Sequence, residues 1–376
     1  MVQKTNFSDL PEDLVMEILS RFPVKCLLQL KCVSKNWYVL IENPIFIQKH
    51  LQNINNPTSY FVHHYFLDTM KSGFTLFQYH DDDDEQNKLV SKSHLYQDVL
   101  KTSAHLWEVV GPLNGLFLLY NDQEQDVALW NASTKEFKPL PMSQPLNCPN
   151  SFSLCSYKFG FGFEPSNTGD YKVVWMRDYW DMYSEDWHSP TIISIYTLST
   201  NSWRNFEEFK VCSRDVAKSS GNTYLNGFYY WRACKNDKIF GFDMRNDKIV
   251  EIQTPKSFVS KQGDLSLFND SIAMYIYEPI IVGRETSIDI WVMEKDGYWA
   301  KKVRTGPFLN IKRSLGYGNN GEIFLEVVTC QLDIFDPFLK KNRVLGQHKN
   351  GYSLQAFGYK ESLVSLKKSS FCNLVC

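Results

Sequence analysis

The sequence predicts a small all-α unit of three helices followed by a large all-β domain that closes on itself as an array of repeats. Three observations carry this. Helical periodicity and helix-boundary residues are confined to the first fifty residues. Beyond about residue 55, short apolar and aromatic runs alternate with Asn, Asp and Gly turns, as strands require. Aromatic residues make up 15% of the 376-residue chain, with 26 Phe, 20 Tyr and 10 Trp, a balance that favours strands over helices.

The first helix is expected to begin at Pro11, whose missing N–H costs nothing in a first turn, with Glu12 and Asp13 at the positive end of the helix dipole. Leu14, Ile18, Leu19 and Phe22 form one apolar stripe until Pro23 ends it. A second short stripe contains Leu27, Leu28, Leu30 and Val33. Ser34 is the expected N-cap of a third helix, in which Trp37, Leu40 and Ile41 share a face before Pro44 closes the segment. Three short helices cannot bury much area alone, so the unit needs a partner.

The run from Leu10-Pro11-Glu12-Asp13-Leu14 through Phe22-Pro23-Val24-Lys25-Cys26-Leu27-Leu28 to Lys31-Cys32-Val33-Ser34-Lys35-Asn36-Trp37 resembles an F-box, over residues 8 to about 50. In F-box proteins this unit lays an apolar face against the Skp adaptor of a cullin-based (SCF) ubiquitin ligase. The resemblance therefore implies adaptor contacts from Leu10, Pro11, Leu14, Ile18, Leu19, Pro23, Val24, Leu27, Leu28, Val33, Trp37, Leu40 and Ile41. A few apolar anchors of this kind suit a helix-packed interface.

In the remaining chain, five segments share one pattern of strand, polar turn and second strand. Their markers Trp130, Tyr196, Phe242, Trp291 and Phe335 recur at about 66, 46, 49 and 44 residues, against roughly 40–50 residues per blade of a β-propeller. Turns at Asn114-Gly115, Asn167-Thr168-Gly169, Asn226-Gly227, Asn269-Asp270, Asn319-Asn320-Gly321 and Lys360-Glu361 interleave with them. Two turn series out of phase imply about four strands per repeat. The expected fold is a propeller-like, kelch-like closed array of six to eight blades, with an irregular β-sandwich as the alternative. Trp203, Phe228, Tyr229, Trp231 and Trp299 are expected between blades. Residues 1–50 form the helical unit, 51–110 a linker and first strands, 111–366 the β domain and 367–376 a tail.

Phe159-Gly160-Phe161-Gly162-Phe163 with Asp170-Tyr171-Lys172-Val173-Val174, then Ile195–Trp203, Asn226–Trp231 and Phe240–Asp243, are similar to the F-box-associated domain of plant F-box proteins. Within that group, the spelling of residues 10–14 and 22–25 and the strand Asp289-Ile290-Trp291-Val292-Met293 look most similar to the S-locus F-box proteins of pollen self-incompatibility. The common Asn-Pro turn is Asn131-Ala132 here.

Charge and composition exclude several classes. Lys and Arg (40) nearly balance Asp and Glu (42), leaving a net charge of −2 and no basic field for nucleic acid. No long apolar segment suggests a membrane span, and the nine scattered cysteines without a Cys-x-x-Cys pair fit reduced thiols, so a soluble cytoplasmic protein is expected. Sequons at Asn6, Asn131 and Asn269 are read as chance. His63-His64 in a strand would point to opposite faces, Gly160-Phe161-Gly162 lacks the third glycine and helix of a phosphate loop, and His188 has no nucleophile motif beside it. The sequence thus predicts no catalytic residue, no metal site and no cofactor.

Its acidic loops suit binding instead. Asp81, Asp82, Asp83 and Asp84 with Glu85 form a solvated run, and Asp122, Glu124, Asp126 and Asp178 add charge. The segment containing Tyr179, Trp180, Asp181, Tyr183, Glu185, Asp186 and Trp187 combines aromatics with carboxylates, as protein-binding hot spots do. The family resemblance implies a substrate receptor for the Skp–cullin ligase, with a protein client. In the S-locus reading that client is a basic secreted ribonuclease (S-RNase) met in the pollen-tube cytosol, which the acidic residues would steer. A receptor for an unrelated client, a glycan-binding propeller and a hydrolase are the alternatives.

Overall fold

The computed structural model describes residues 10–53, 59–66, 71–78, 90–92, 107–121, 126–142, 152–165, 169–181, 191–206, 223–232, 238–256, 262–295, 297–318, 320–347 and 351–367. Four helices come first: α1 (Glu12–Leu19), α2 (Val24–Leu30), α3 (Lys35–Glu42) and α4 (Pro44–Gln52). The Ser34 side chain accepts from the Trp37 N–H at 3.2 Å and caps α3 as expected. The sequence suggested three helices because Pro44 reads as a stop. Instead Pro44 occupies the first turn of α4, where its ring is already in helical geometry, and Asn43 caps that helix through the Ile45 N–H at 2.9 Å.

The rest is a propeller of six four-stranded blades. Blade 2 runs β4 (Trp107–Leu113), β5 (Leu116–Asn121), β6 (Val127–Asn131) and β7 (Glu136–Pro139). Blade 3 contains β8 (Phe152–Glu164), β9 (Asp170–Asp181), β10 (Thr191–Thr197) and β11 (Ser202–Phe206). Blade 4 follows with β12 (Tyr224–Leu225), β13 (Phe228–Arg232), β14 (Lys238–Asp243) and β15 (Lys248–Gln253). Blade 5 holds β16 (Gln262–Phe268), β17 (Ser271–Tyr277), β18 (Thr286–Met293) and β19 (Trp299–Phe308), and blade 6 β20 (Ile311–Tyr317), β21 (Ile323–Val327), β22 (Gln331–Asp336) and β23 (Lys341–Gln347). Blade 1 is built from both ends of the domain: β24 (Gly351–Tyr359) is its inner strand, beside β1 (Ser59–Phe66), β2 (Lys71–Gln78) and β3 (Val90–Lys92). This seam closes the ring, and all its neighbours pair antiparallel.

The five sequence markers are the third strands of blades 2 to 6, which explains their spacing. Five of the six interleaved turns join first and second strands. At Asn114-Gly115 and Asn226-Gly227 both residues take positive φ (49° and 75°, 50° and 89°), the geometry a two-residue hairpin demands. The sixth, at Lys360-Glu361, is not a hairpin. It is the exit from β24, whose partner β1 lies at the other end of the domain.

One apolar cluster fills each gap between neighbouring blades. Phe61, Phe74, Phe117 and Trp130 meet between blades 1 and 2, and Tyr229, Trp231 and Phe242 pack against Val174 and Ile195 between blades 3 and 4. Trp203, Phe228 and Trp299 also lie at such gaps. A seventh cluster is the core of the helical unit. The Phe-Gly-Phe-Gly-Phe run on β8 follows from the alternation of a strand: Phe159 and Phe161 face blade 2, while Gly160 and Gly162 make room for Tyr229 and Met244 of blade 4.

Candidate functional site

Strand direction gives the disc two ends. The helical unit sits at the end where β24 finishes and β1 starts, since Ser59 pairs with Tyr359 there. Connections between strands at this near end are two to five residues long, apart from residues 79–89. Strand ends bracketing the longer segments 93–106, 182–190 and 207–223 all lie at the far end. One end therefore carries the helices, and the other carries most of the connecting length.

The helical unit divides the residues assigned to it from sequence into three groups. Leu19, Val24, Leu27, Leu40 and Ile41 are buried, packed with Val15 and Phe46 in its core. They shape the unit but present no surface. Leu14 (51% exposed), Ile18 (39%) and Val33 (67%) face solvent, as do Pro11 and Pro23, and Leu10, Leu28 and Trp37 are half-buried at the edge of the core. Leu14 and Ile18 lie one turn apart on α1, on the same helix face. The sequence reading left out Tyr38, Val39 and Ile45, which are exposed on α3 and α4. Their period could not mark them, because each lies off the stripe that forms the core. Exposed apolar groups in such number on four short helices are what interaction surfaces carry. On α1 Glu17 pairs with Lys49 at 2.7 Å and Arg21 at 2.9 Å, and those cations hold its carboxyl below the usual range.

The unit rests on the chain that leaves the propeller. His50 is buried, its Nε2–H donates to the Phe22 carbonyl at 3.0 Å, and burial holds the ring below its ordinary pKa. Leu363, which follows β24, is part of the helical core, and the Glu361 carboxylate accepts from the Val24 N–H at 2.9 Å.

The acidic and aromatic segments do not form one site. Asp81, Asp82, Asp83 and Asp84 lie outside the described residues, as do Tyr183, Glu185, Asp186 and Trp187. The strands that flank them are described: β2 and β3 meet at the near end, with Gln78 opposite Val90, whereas β9 and β10 meet at the far end, with Asp178 opposite Thr191. Tyr179, Trp180 and Asp181 are the last residues of β9, and Tyr179 is half-buried. Asp178 is not a loop carboxylate but a buried residue of β9 (1% exposed), next to Arg177, whose guanidinium lies 4.1 Å from the Trp175 ring centre. At the same end the Tyr120 hydroxyl donates to Glu108 at 2.7 Å, and Tyr157 meets Tyr120 edge-on.

Asn131 of the second sequon is fully buried, and its side-chain amide donates to the carbonyls of Ser362 at 3.0 Å and Val364 at 2.8 Å. That nitrogen cannot carry a glycan in the folded chain. Among the described residues no group of three or more His, Cys, Asp or Glu could hold a metal ion, and no helix is long and apolar enough to cross a membrane.

Comparison with known proteins bears on both parts. Residues 7–49 match the F-box domain, and residues 63–335 match the F-box associated beta propeller domain. An F-box/kelch-repeat protein of Arabidopsis thaliana is 26% identical over 336 residues, covering 85% of this chain and 85% of that protein. A putative F-box protein of the same plant is 23% identical, with 96% of this chain and 94% of that one covered. F-box protein CPR1, also of Arabidopsis thaliana, is 31% identical over 53% of this chain and 45% of its own length.

Proposed function

Because the chain belongs to the family of F-box proteins with an F-box associated beta propeller domain, we propose that it is the substrate-recognition subunit of an SCF-type ubiquitin ligase. The exposed apolar residues of the F-box, among them Leu14, Ile18 and Val33, dock on the Skp adaptor and through it on the cullin. The propeller holds a protein client. The observation that carries this reading is the opposition of the two ends: a solvent-facing apolar helical surface at one, most of the inter-strand length at the other. Such a receptor contributes no chemical group. It raises the effective concentration of a client lysine near the ubiquitin-loading enzyme, in the cytosol.

For the client end we favour the far face, where β9 delivers Tyr179, Trp180 and Asp181 and leads into Tyr183, Glu185, Asp186 and Trp187. The near-end run Asp81 to Asp84 is then not part of the same contact. The spelling of residues 10–14, 22–25 and 289–293, similar to S-locus F-box proteins, supports a basic secreted S-RNase as the client in pollen. Affinity purification from pollen tubes with the proteasome blocked tests both levels. Recovery of adaptor, cullin and a style ribonuclease supports the whole reading. Recovery of adaptor and cullin with other proteins keeps the receptor and removes the pollen client. Absence of adaptor and cullin rejects the receptor.

A further inference from the structure

The residues after β24 join parts of the molecule far apart in sequence. Residues 360–366 belong to no helix or strand and run between the F-box and blade 2. On one side Leu363 (3% exposed) completes the F-box core with Leu19, Val24, Leu27 and Phe46. Glu361 supplies the α2 N-terminus with the acceptor that Pro23, at the cap position, cannot provide, taking the Val24 N–H at 2.9 Å. On the other side Ser362 and Val364 offer their carbonyls to Asn131, the Ser362 N–H donates to the Ser133 hydroxyl at 3.0 Å, and the Leu366 N–H donates to Glu136 at 2.6 Å. Leu366 is buried between blades 2 and 3.

This strap grows directly out of β24, the inner strand of the ring seam, and the F-box connects directly to β1, its partner across that seam. The F-box core is thus completed by residues that follow the seam strand β24 without a break. We propose that residues 361–366 make the F-box competent for its adaptor only once the propeller has closed, so that a receptor with an open ring is kept out of the ligase. The regulatory sense rests on the adaptor reading above, whereas the physical coupling does not. Coupling of this kind is reciprocal: whatever stabilises the F-box must stabilise the seam by the same factor.

Hydrogen exchange of the full-length chain tests it, comparing residues 12–30 with the seam strands 59–66 and 351–359, and with residues 238–253 of blade 4 as internal reference. Glu361→Ala keeps the apolar contacts of Leu363 and removes the α2 helix cap together with the carboxylate charge felt by His50, so exchange in α2 should rise about fivefold. Leu363→Ala should raise it about tenfold or more in α1 and α2. The decisive variant is Phe357→Ala, which loosens the seam through a residue outside the F-box core; exchange in α1 and α2 should rise with that of the seam while blade 4 stays protected. Helices that keep their protection when the seam opens overturn the proposal. Saturating Skp adaptor should slow seam exchange in the wild type and not in Leu363→Ala. An adaptor that protects the helices but leaves the wild-type seam unchanged also overturns it. An adaptor that fails to bind rejects the proposed function, and the variants still decide the coupling.

Discussion

Gly160 shows how a single missing side chain positions two blades. A Cβ there would stand 2.5 Å from the Tyr229 ring, and one at Gly162 would stand 2.3 Å from Met244. Gly160→Ala should therefore cost roughly 1–3 kcal/mol by overpacking, measured as a lower urea midpoint; an unchanged midpoint would mean the blades can part at no cost. The sequence already marked these glycines as unfit for a phosphate loop, but their packing role depends on Tyr229 and Met244, far along the chain, and had no local signal. His63 is a second case. It is 1% exposed, its ring stacks on Phe74 at 4.8 Å, and neither ring nitrogen has a hydrogen-bond partner among the described residues. Burial pushes its pKa down from 6.5 to about 3. The folded form thus keeps the ring neutral where the unfolded chain binds a proton. Its contribution is complete above pH 6.5 and is lost as the pH falls toward 3. Between pH 7 and pH 5 that single group should remove about 2 kcal/mol of stability. His63→Phe should flatten the drop, and an equal drop in the variant would assign the acid sensitivity elsewhere.

Among elements, those with local boundary chemistry were readable in advance. Ser34 before α3 is an example, and Ser34→Ala should destabilise that helix by about 1 kcal/mol, seen as faster amide exchange in residues 35–42. Exchange unchanged by the substitution would show that tertiary packing alone holds α3. Pro44 misled because proline ends one helix and begins another with the same geometry, and only the Asn43 cap distinguishes the cases. Within the F-box, periodicity located the apolar residues but could not tell inside from outside. A short helix with apolar residues on two faces gives one stripe to the core and the other to solvent, and Leu19 and Leu14 fall on different sides of that division. The strap had no sequence signature at all. Its Glu361, Ser362 and Leu363 form no period, and their partners lie more than two hundred residues away.

For the whole molecule, repeat spacing revealed the propeller but not its number of blades. Five markers fall on the third strands of blades 2 to 6, whereas blade 1 is split between the two ends of the domain and breaks the series. The same split explains why Lys360-Glu361 resembled a hairpin turn in phase with the others. Closure places the F-box at one end and the strands leading to residues 182–190 at the other. Tyr179→Ala should accordingly weaken client capture while leaving adaptor binding intact, checked by pull-down of each partner from the same extract; loss of both would place the residue in folding. The receptor role itself is tested most directly by titrating the purified full-length chain with purified Skp adaptor, alongside a variant carrying Leu14→Asp and Ile18→Asp on the exposed face of α1. A one-to-one complex with the wild type, lost in a variant that keeps its strand circular dichroism, is the expected result. No complex with the wild type, or an undiminished one with the variant, would contradict it.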